Sequence, residues 1–388
     1  MTEERGKEGR KEGRKEGRKE GWKEGRNPGA EDAGKPPDGG RWCSSSRRRL
    51  VFVLLVLAVV LFFYNATVKD LLPAWNPAKW GLASGGQRHG VLPPQPRAPP
   101  ARPTPTPPPY RSPGPYLVEY PSEYHFLINE PTACERRKPF LVLMVPVAPD
   151  DRAHRDVIRS TWGGERRALG RAVALFFLMG LHAAPAPPDE RLLRESREHG
   201  DLLQSDFLDS YKNLTIKTMV MLEWLDAHCR GAAYAMKVDT DMFLNVPKLV
   251  GMLASAPRTG YLTGRVQGGA AVHRYPSSKW FLPVEVYPAA HYPRYALGMG
   301  YVFSSDLPRR LLQASRHVRA VYIEDVYLGM CMSHLGIGPT DPPSWSYFQV
   351  EPRRYSRCAY SQLVAMTTHP ADDRLWVWEQ FKRPGQHC

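Results

Sequence analysis

Cysteine is scarce and scattered in this chain: the six, Cys43, Cys134, Cys229, Cys331, Cys358 and Cys388, are spread through 388 residues without a C-x-x-C pair. That spacing excludes the common zinc knuckles and ribbons, whose ligands come in close pairs. Zinc-finger spacing, an RNA-binding aromatic signature and long basic runs are also missing, so the net charge of +14 does not mark a nucleic-acid binder. Residues 1–49 hold 15 Lys and Arg against 10 Asp and Glu, and the rest of the excess is dispersed. Apolar runs of membrane length are missing too, with one exception.

The exception is Leu50 to Tyr64 (LVFVLLVLAVVLFFY), which with the residues to Val68 makes about 19, close to a bilayer span. Arg47, Arg48 and Arg49 precede it and only Lys69 follows closely, which predicts a cytoplasmic N-terminus and a type II signal-anchor. A cleaved signal peptide fits worse, because some 49 residues come first and Phe62-Phe63-Tyr64 is no cleavage site. The short span suits the thinner membranes of the early secretory pathway. Residues 1–49, repeating Lys-Glu-Gly-Arg, are a low-complexity tail unable to bury a core. Residues 69–115, with the proline run from Pro93 to Pro115, read as an extended stem on the far side. Residues 116–388 form the globular domain. Its compartment is oxidising on this reading, so disulfides are expected; five cysteines fall there, and at least one is left over.

Within that domain Phe140 to Val147, Ala172 to Met179 and Ala232 to Val238 are apolar runs of strand length. Arg152 to Trp162, Asp189 to His199 and Lys212 to His228 carry helical spacing, the last with an amphipathic stripe at 214, 218, 221, 222 and 225. Alternating strands and helices predict an α/β domain with a mostly parallel central sheet. Ligands of such sheets sit at the carboxyl ends of the strands. Asp239-Thr240-Asp241 follows the third run directly.

Two carboxylates two residues apart at a strand end suit a hard cation whose remaining ligands are phosphate oxygens and water. A solvated acidic turn is the plain alternative. Glu324-Asp325, in VYIEDVYLGMC, is an acidic pair in apolar surroundings, where a carboxylate's pKa rises; Asp325 is the candidate general base, and a helix N-cap the alternative. His369, in MTTHP, is a candidate metal or diphosphate ligand or a structural histidine. Arg155 and Arg159, four apart, share a helix face that suits phosphate or solvent. Gly298 and Gly300 either let backbone approach a sugar or make a turn. Asn213-Leu-Thr215 is a glycosylation sequon.

Taken together, RDVIRSTW (155–162), FFLMG (176–180), GDLLQSDFLDSYKNLTIK (200–217), KVDTDMFLN (237–245), SKWFLP (278–283), YPRYALGMGYVFS (292–304) and EDVYLGMC (324–331) resemble the β-1,3-galactosyltransferase and β-1,3-N-acetylglucosaminyltransferase family, glycosyltransferase family 31. The resemblance implies a GT-A fold, a Golgi membrane enzyme with a lumenal catalytic domain, an inverting single displacement and dependence on Mn²⁺. By it Asp239 and Asp241 are the D-x-D motif and hold the metal, Asp241 more directly than Asp239, Asp325 is the base, and His369 a metal or diphosphate ligand. It also places Arg155, Arg159, Lys237, Thr240 and Glu324 by the nucleotide sugar, and turns Trp280, Gly298 and Gly300 toward donor or acceptor sugar. The Ser-Lys-Trp block favours UDP-galactose and an acceptor glycan on protein or lipid. Ala296-Leu297-Gly298-Met299-Gly300 departs from the Cys-Ser-Gly-Thr-Gly turn usual in galactosyl members. UDP-N-acetylglucosamine as donor, and a catalytically silent glycan-binding membrane protein, are the alternatives.

Overall fold

The structure, a computed structural model, describes residues 114–182, 189–386 and 388. The expected tail (1–49), membrane anchor (50–68), stem as far as residue 113 and most of the Pro-rich loop before Asp189 lie outside the described residues. Among the described residues no helix is long and apolar enough to cross a membrane.

The strands are β1 (Phe126–Ile128), β2 (Leu141–Pro146), β3 (Arg167–Ala168), β4 (Arg171–Leu181), β5 (Leu202–Leu208), β6 (Tyr234–Val238), β7 (Met242–Leu244), β8 (Leu262–Gln267), β9 (Tyr295–Ser304), β10 (Phe348–Gln349) and β11 (Ala365–Thr367). The helices are α1 (Ala133–Arg137), α2 (Arg152–Ser160), α3 (Glu190–His199), α4 (Leu214–His228), α5 (Val246–Leu253), α6 (Leu307–Ser315), α7 (Glu324–His334), α8 (Arg357–Gln362) and α9 (Arg374–Lys382).

An eight-stranded sheet runs β1-β5-β4-β2-β6-β9-β8, with β3 paired to β4. Its centre, β5-β4-β2-β6, is parallel, as expected. Antiparallel β9 and β8 extend one side and β1 the other, an extension not foreseen from the sequence. The parallel strands are apolar throughout because both faces are covered. Val142, Met144, Phe176 and Leu178 face Met219, Val220 and Trp224 of α4, while Leu141, Leu143, Leu175 and Phe177 face Ile158, Trp162 and Leu192 on the other side. Burial of helix α4 extends well beyond the expected amphipathic stripe: Thr215 to Leu222, Trp224 and Leu225 are all buried.

A small second sheet, β10-β11-β7, joins the segment after Asp241 to the chain near the C-terminus. Disulfides link Cys134 to Cys229 and Cys358 to Cys388, and Cys331 stays a buried thiol, the expected odd cysteine. Asn213 of the sequon stands at the start of α4, its amide donating to Leu208 O at 2.8 Å.

Candidate active site

Parallel strands deliver their carboxyl ends to one edge. There β6 ends in the Asp239–Asp241 turn, and the period of two puts Lys237 and Asp239 on one face, where Lys237 Nζ and Asp239 Oδ1 lie 2.7 Å apart. The turn is held through its backbone: Thr240 O accepts from Arg374 Nη1 at 2.8 Å, and Asp241 O accepts from both Thr368 N and Thr368 Oγ1 at 2.7 Å. The Asp241 side chain is exposed. Pairing of β11 with β7 thus brings His369, the residue after Thr368, to the turn. Its ring is exposed, and Nδ1 accepts from Ala371 N at 3.1 Å, so any contact with a metal or phosphate falls to Nε2.

Lys237 is the hub of the site. Its ammonium donates to Gly298 O, pairs with Asp239 and lies 4.0 Å from Glu324 Oε2. Burial acts most strongly on it and favours the neutral form, but the charges of Asp239 and Glu324 outweigh burial and hold its pKa above the ordinary lysine value. Burial raises the pKa of Asp239, Glu324 and Asp325 alike. Glu324 faces inward, accepting from Tyr301 OH, and is 7% exposed. The residue expected beside the nucleotide sugar thus has its carboxylate under β9 and against Lys237.

Asp325, in the first turn of α7, is only partly buried. Its Oδ1 accepts from Val326 N and its Oδ2 from Gly298 N, both at 2.9 Å. These bonds favour the carboxylate and partly offset the effect of burial. Gly298 and Gly300 lie within β9, not in a turn, and neither has a positive φ. A Cβ on Gly298 would stand 2.9 Å from Glu324 Oε2, and one on Gly300 3.3 Å from Met236 Cε. The glycines therefore make room for the site's own side chains. Trp280 is 43% exposed, with Lys279 Nζ 4.5 Å from its ring centroid. The same ammonium lies 6.0 Å from the ring centroid of Tyr211, whose pKa is raised by burial and then by the charge of Asp325.

Arg155 and Arg159, expected by the nucleotide, turn their donors to protein acceptors in this structure. Arg155 is 1% exposed and forks onto Glu195 at 2.7 Å with Nε and Nη2, while Nη1 donates to Ala148 O and Pro149 O. Arg159 pairs with Asp201, Glu195 and Asp156. Both fasten α2 to α3 and the loop after β2. The basic-face reading failed because the partners lie about 40 residues away in sequence.

Sequence reasoning missed Lys217, whose Nζ donates to Val147 O at 2.8 Å and pairs with Asp209 at 2.7 Å; Asp209 in turn accepts from Gly180 N at 2.9 Å. This buried pair ties the ends of β2, β4 and β5 together. The available signal was a lone lysine in a helix of mostly apolar residues.

The galactosyltransferase family model matches residues 153–343. β-1,3-Galactosyltransferase 2 of Homo sapiens is 37% identical over 270 residues, which cover 68% of this chain and 64% of that relative. The same protein of Pongo abelii is 37% identical over the same length. β-1,3-Galactosyltransferase 1 of Mus musculus is 35% identical over 264 residues, 67% of this chain and 79% of the relative. The chain thus spans somewhat less than two thirds of the first relatives and more of the last.

Proposed function

This chain belongs to the galactosyltransferase family, and from that membership we propose that it transfers galactose from UDP-galactose to a hydroxyl of an acceptor glycan, forming a β-1,3 linkage in glycoprotein or glycolipid synthesis. The observation that carries the reading is one sheet edge with two unlike acidic elements: the Asp239–Asp241 turn, and Asp325 oriented by Gly298 N.

In this mechanism Asp325 Oδ2 takes the proton from the acceptor hydroxyl as that oxygen attacks the anomeric carbon. The sugar passes through an oxocarbenium-like state and UDP departs from the opposite face, so the configuration inverts. Burial makes Asp325 a stronger base than an exposed carboxylate, and its two backbone hydrogen bonds fix the direction it faces. Tyr211 lies near enough to feel the charge of Asp325, and Lys279 stands between its ring and that of the exposed Trp280, two aromatic faces suited to the apolar face of a sugar.

The donor set fits a hard divalent cation such as Mn²⁺ in part. Asp241 offers an exposed carboxylate and His369 a ring nitrogen beside it, but among the described residues no group of three or more His, Cys, Asp or Glu is placed to hold a metal alone. Such a site suits an ion that shares its ligands with a diphosphate and water. When bound, the ion supplies positive charge that stabilises the departing diphosphate. Asp239, paired to Lys237, supports the turn more than it offers ligand oxygens. A Golgi membrane location with the domain on the lumenal side belongs to the same reading, supported by the apolar run after Arg47 to Arg49.

The test is transfer by the full chain in detergent, given UDP-galactose or UDP-N-acetylglucosamine, Mn²⁺ and a panel of glycan acceptors. The expected result is β-1,3-linked galactose that is lost on chelation. Turnover with UDP-N-acetylglucosamine alone would reassign the donor. No transfer from any donor while UDP still binds would overturn the enzymatic reading.

A further inference from the structure

At the edge of the sheet opposite Asp239, where β4 begins, Arg137, Arg166 and Arg167 line a cavity of about 390 Å³ together with Ala172 and Val173. Its volume is in the range of small-molecule sites. Three guanidiniums converge there with little to neutralise them. Arg166 makes no side-chain hydrogen bond or ion pair among the described residues. Arg167 donates from Nη2 to Gly170 O at 2.9 Å. Arg137 donates from Nη2 to Gly200 O at 2.9 Å and lies 5.4 Å from the centroid of Phe176, yet its Nη1 is buried without a partner among the described residues.

The neighbouring carboxylates are already engaged. Glu130 pairs with Arg136 at 3.5 Å, and Asp201 takes a two-pronged bond from Arg159 at 2.8 and 2.9 Å. Burial lowers the pKa of Arg166, the attraction of Asp201 offsets this in part, and repulsion from Arg137 and Arg159 lowers it further. Arg166 and Arg167 are open to solvent and Arg137 is half-buried, so three like charges gather where an anion from solution can reach them, and Arg137 Nη1 adds a donor still unmet among the described residues. Planar guanidinium forks match anionic oxygens in pairs, and an oxyanion with three or four acceptor oxygens can serve three forks where a lone carboxylate cannot.

We propose that this cavity binds a tetrahedral oxyanion, a phosphate or sulfate group, free or carried as an ester on a sugar. The site is separate from the D-x-D turn and does not depend on the transfer reaction.

The full chain is titrated with sodium sulfate and sodium phosphate against sodium chloride at constant ionic strength, following thermal unfolding and heat of binding. The expected result is a saturable rise in Tm with sulfate and phosphate and none with chloride. In Arg166→Ala/Arg167→Ala the affinity falls about tenfold or more, while Asp241→Ala leaves it unchanged. If the double variant does not fold, Arg166→Gln alone makes the same comparison. A sulfated disaccharide that binds more tightly than free sulfate, its unsulfated form not binding, identifies the ester as the source; equal affinity identifies the free anion. A response that tracks ionic strength alone, persists in the arginine variants or disappears in Asp241→Ala overturns the proposal.

Discussion

The backbone N–H of Gly298 donates to Asp325 Oδ2 at 2.9 Å, and the direction in which residue 298 would carry a Cβ leads to Glu324 Oε2, also 2.9 Å away. One glycine in β9 thus orients the proposed base and leaves space for the acid next to it. Added carbon must displace Glu324, which is tied to Tyr301 and lies near Lys237. Gly298→Ala is expected to cost about 1–3 kcal/mol of stability through overpacking, and to reduce kcat more than KM for donor, because the disturbed group faces the acceptor. Thermal unfolding together with steady-state kinetics checks it. An unchanged kcat would separate Gly298 from the base.

Asp325→Asn keeps the shape and removes the proton acceptor. Transfer is expected to fall about 10²–10⁴-fold, with UDP binding by calorimetry nearly unchanged. The pH dependence has opposite signs for rate and for stability. Burial holds the pKa of Asp325 above the ordinary carboxylate value, so kcat/KM rises with pH through a limb displaced upward from about 3.9. A raised pKa in the folded state means that folding favours the proton. The stability this contributes is complete below about 3.9 and is lost as pH rises through the folded value. The Tm of wild type minus that of Asp325→Asn should therefore be largest in acid and shrink toward neutrality; a difference that does not vary with pH would contradict a raised pKa.

The two aspartates of the turn should fail in different ways. Asp241 is exposed and outside any ion pair among the described residues, so Asp241→Ala is expected to leave the unfolding free energy within about 0.5 kcal/mol of wild type while abolishing the Mn²⁺-dependent part of UDP-galactose binding. Asp239→Ala strands the buried ammonium of Lys237. Breaking a fully buried pair costs about 3–5 kcal/mol, but the Asp239 side chain is 40% exposed and solvent screens it, so about 1–3 kcal/mol is expected. Equal losses of stability in both variants would contradict this division.

The central strands were legible because strands covered on both faces are apolar from end to end: 140–147, 172–179 and 232–238 correspond to β2, β4 and β6. The acidic turn and Asp325 were legible for the opposite reason, as charges interrupting apolar runs. Strand β9 was not, since Gly298 and Gly300 read equally well as a turn, and only the approach of Glu324 and Met236 explains them. The partners of Lys217 were hidden as well: Asp209 is near in sequence, but Val147 O becomes a neighbour only once α4 lies across the sheet.

Arg155 and Glu195 give the sharpest case of such a distant partnership. Both side chains are at most 2% exposed, and the two parallel bonds between them are 2.7 Å long. Removing either partner leaves a buried charge, so Arg155→Ala and Glu195→Ala are each expected to destabilise by about 3–5 kcal/mol. Arg159 also reaches Glu195 at 2.8 Å, and in the double variant it keeps Asp201. The double variant should therefore lose less than the sum of the two singles, with a coupling of about 1–3 kcal/mol by urea unfolding. A nucleotide contact by Arg155 makes a different forecast: Arg155→Ala would raise the KM for UDP-galactose severalfold, and Glu195→Ala, freeing the guanidinium, would lower it. The framework role requires both singles to lose stability together, with any change in KM of the same sign in each. Measuring Tm and KM on the same three variants decides between a phosphate clamp and a buried fastening of α2 to α3.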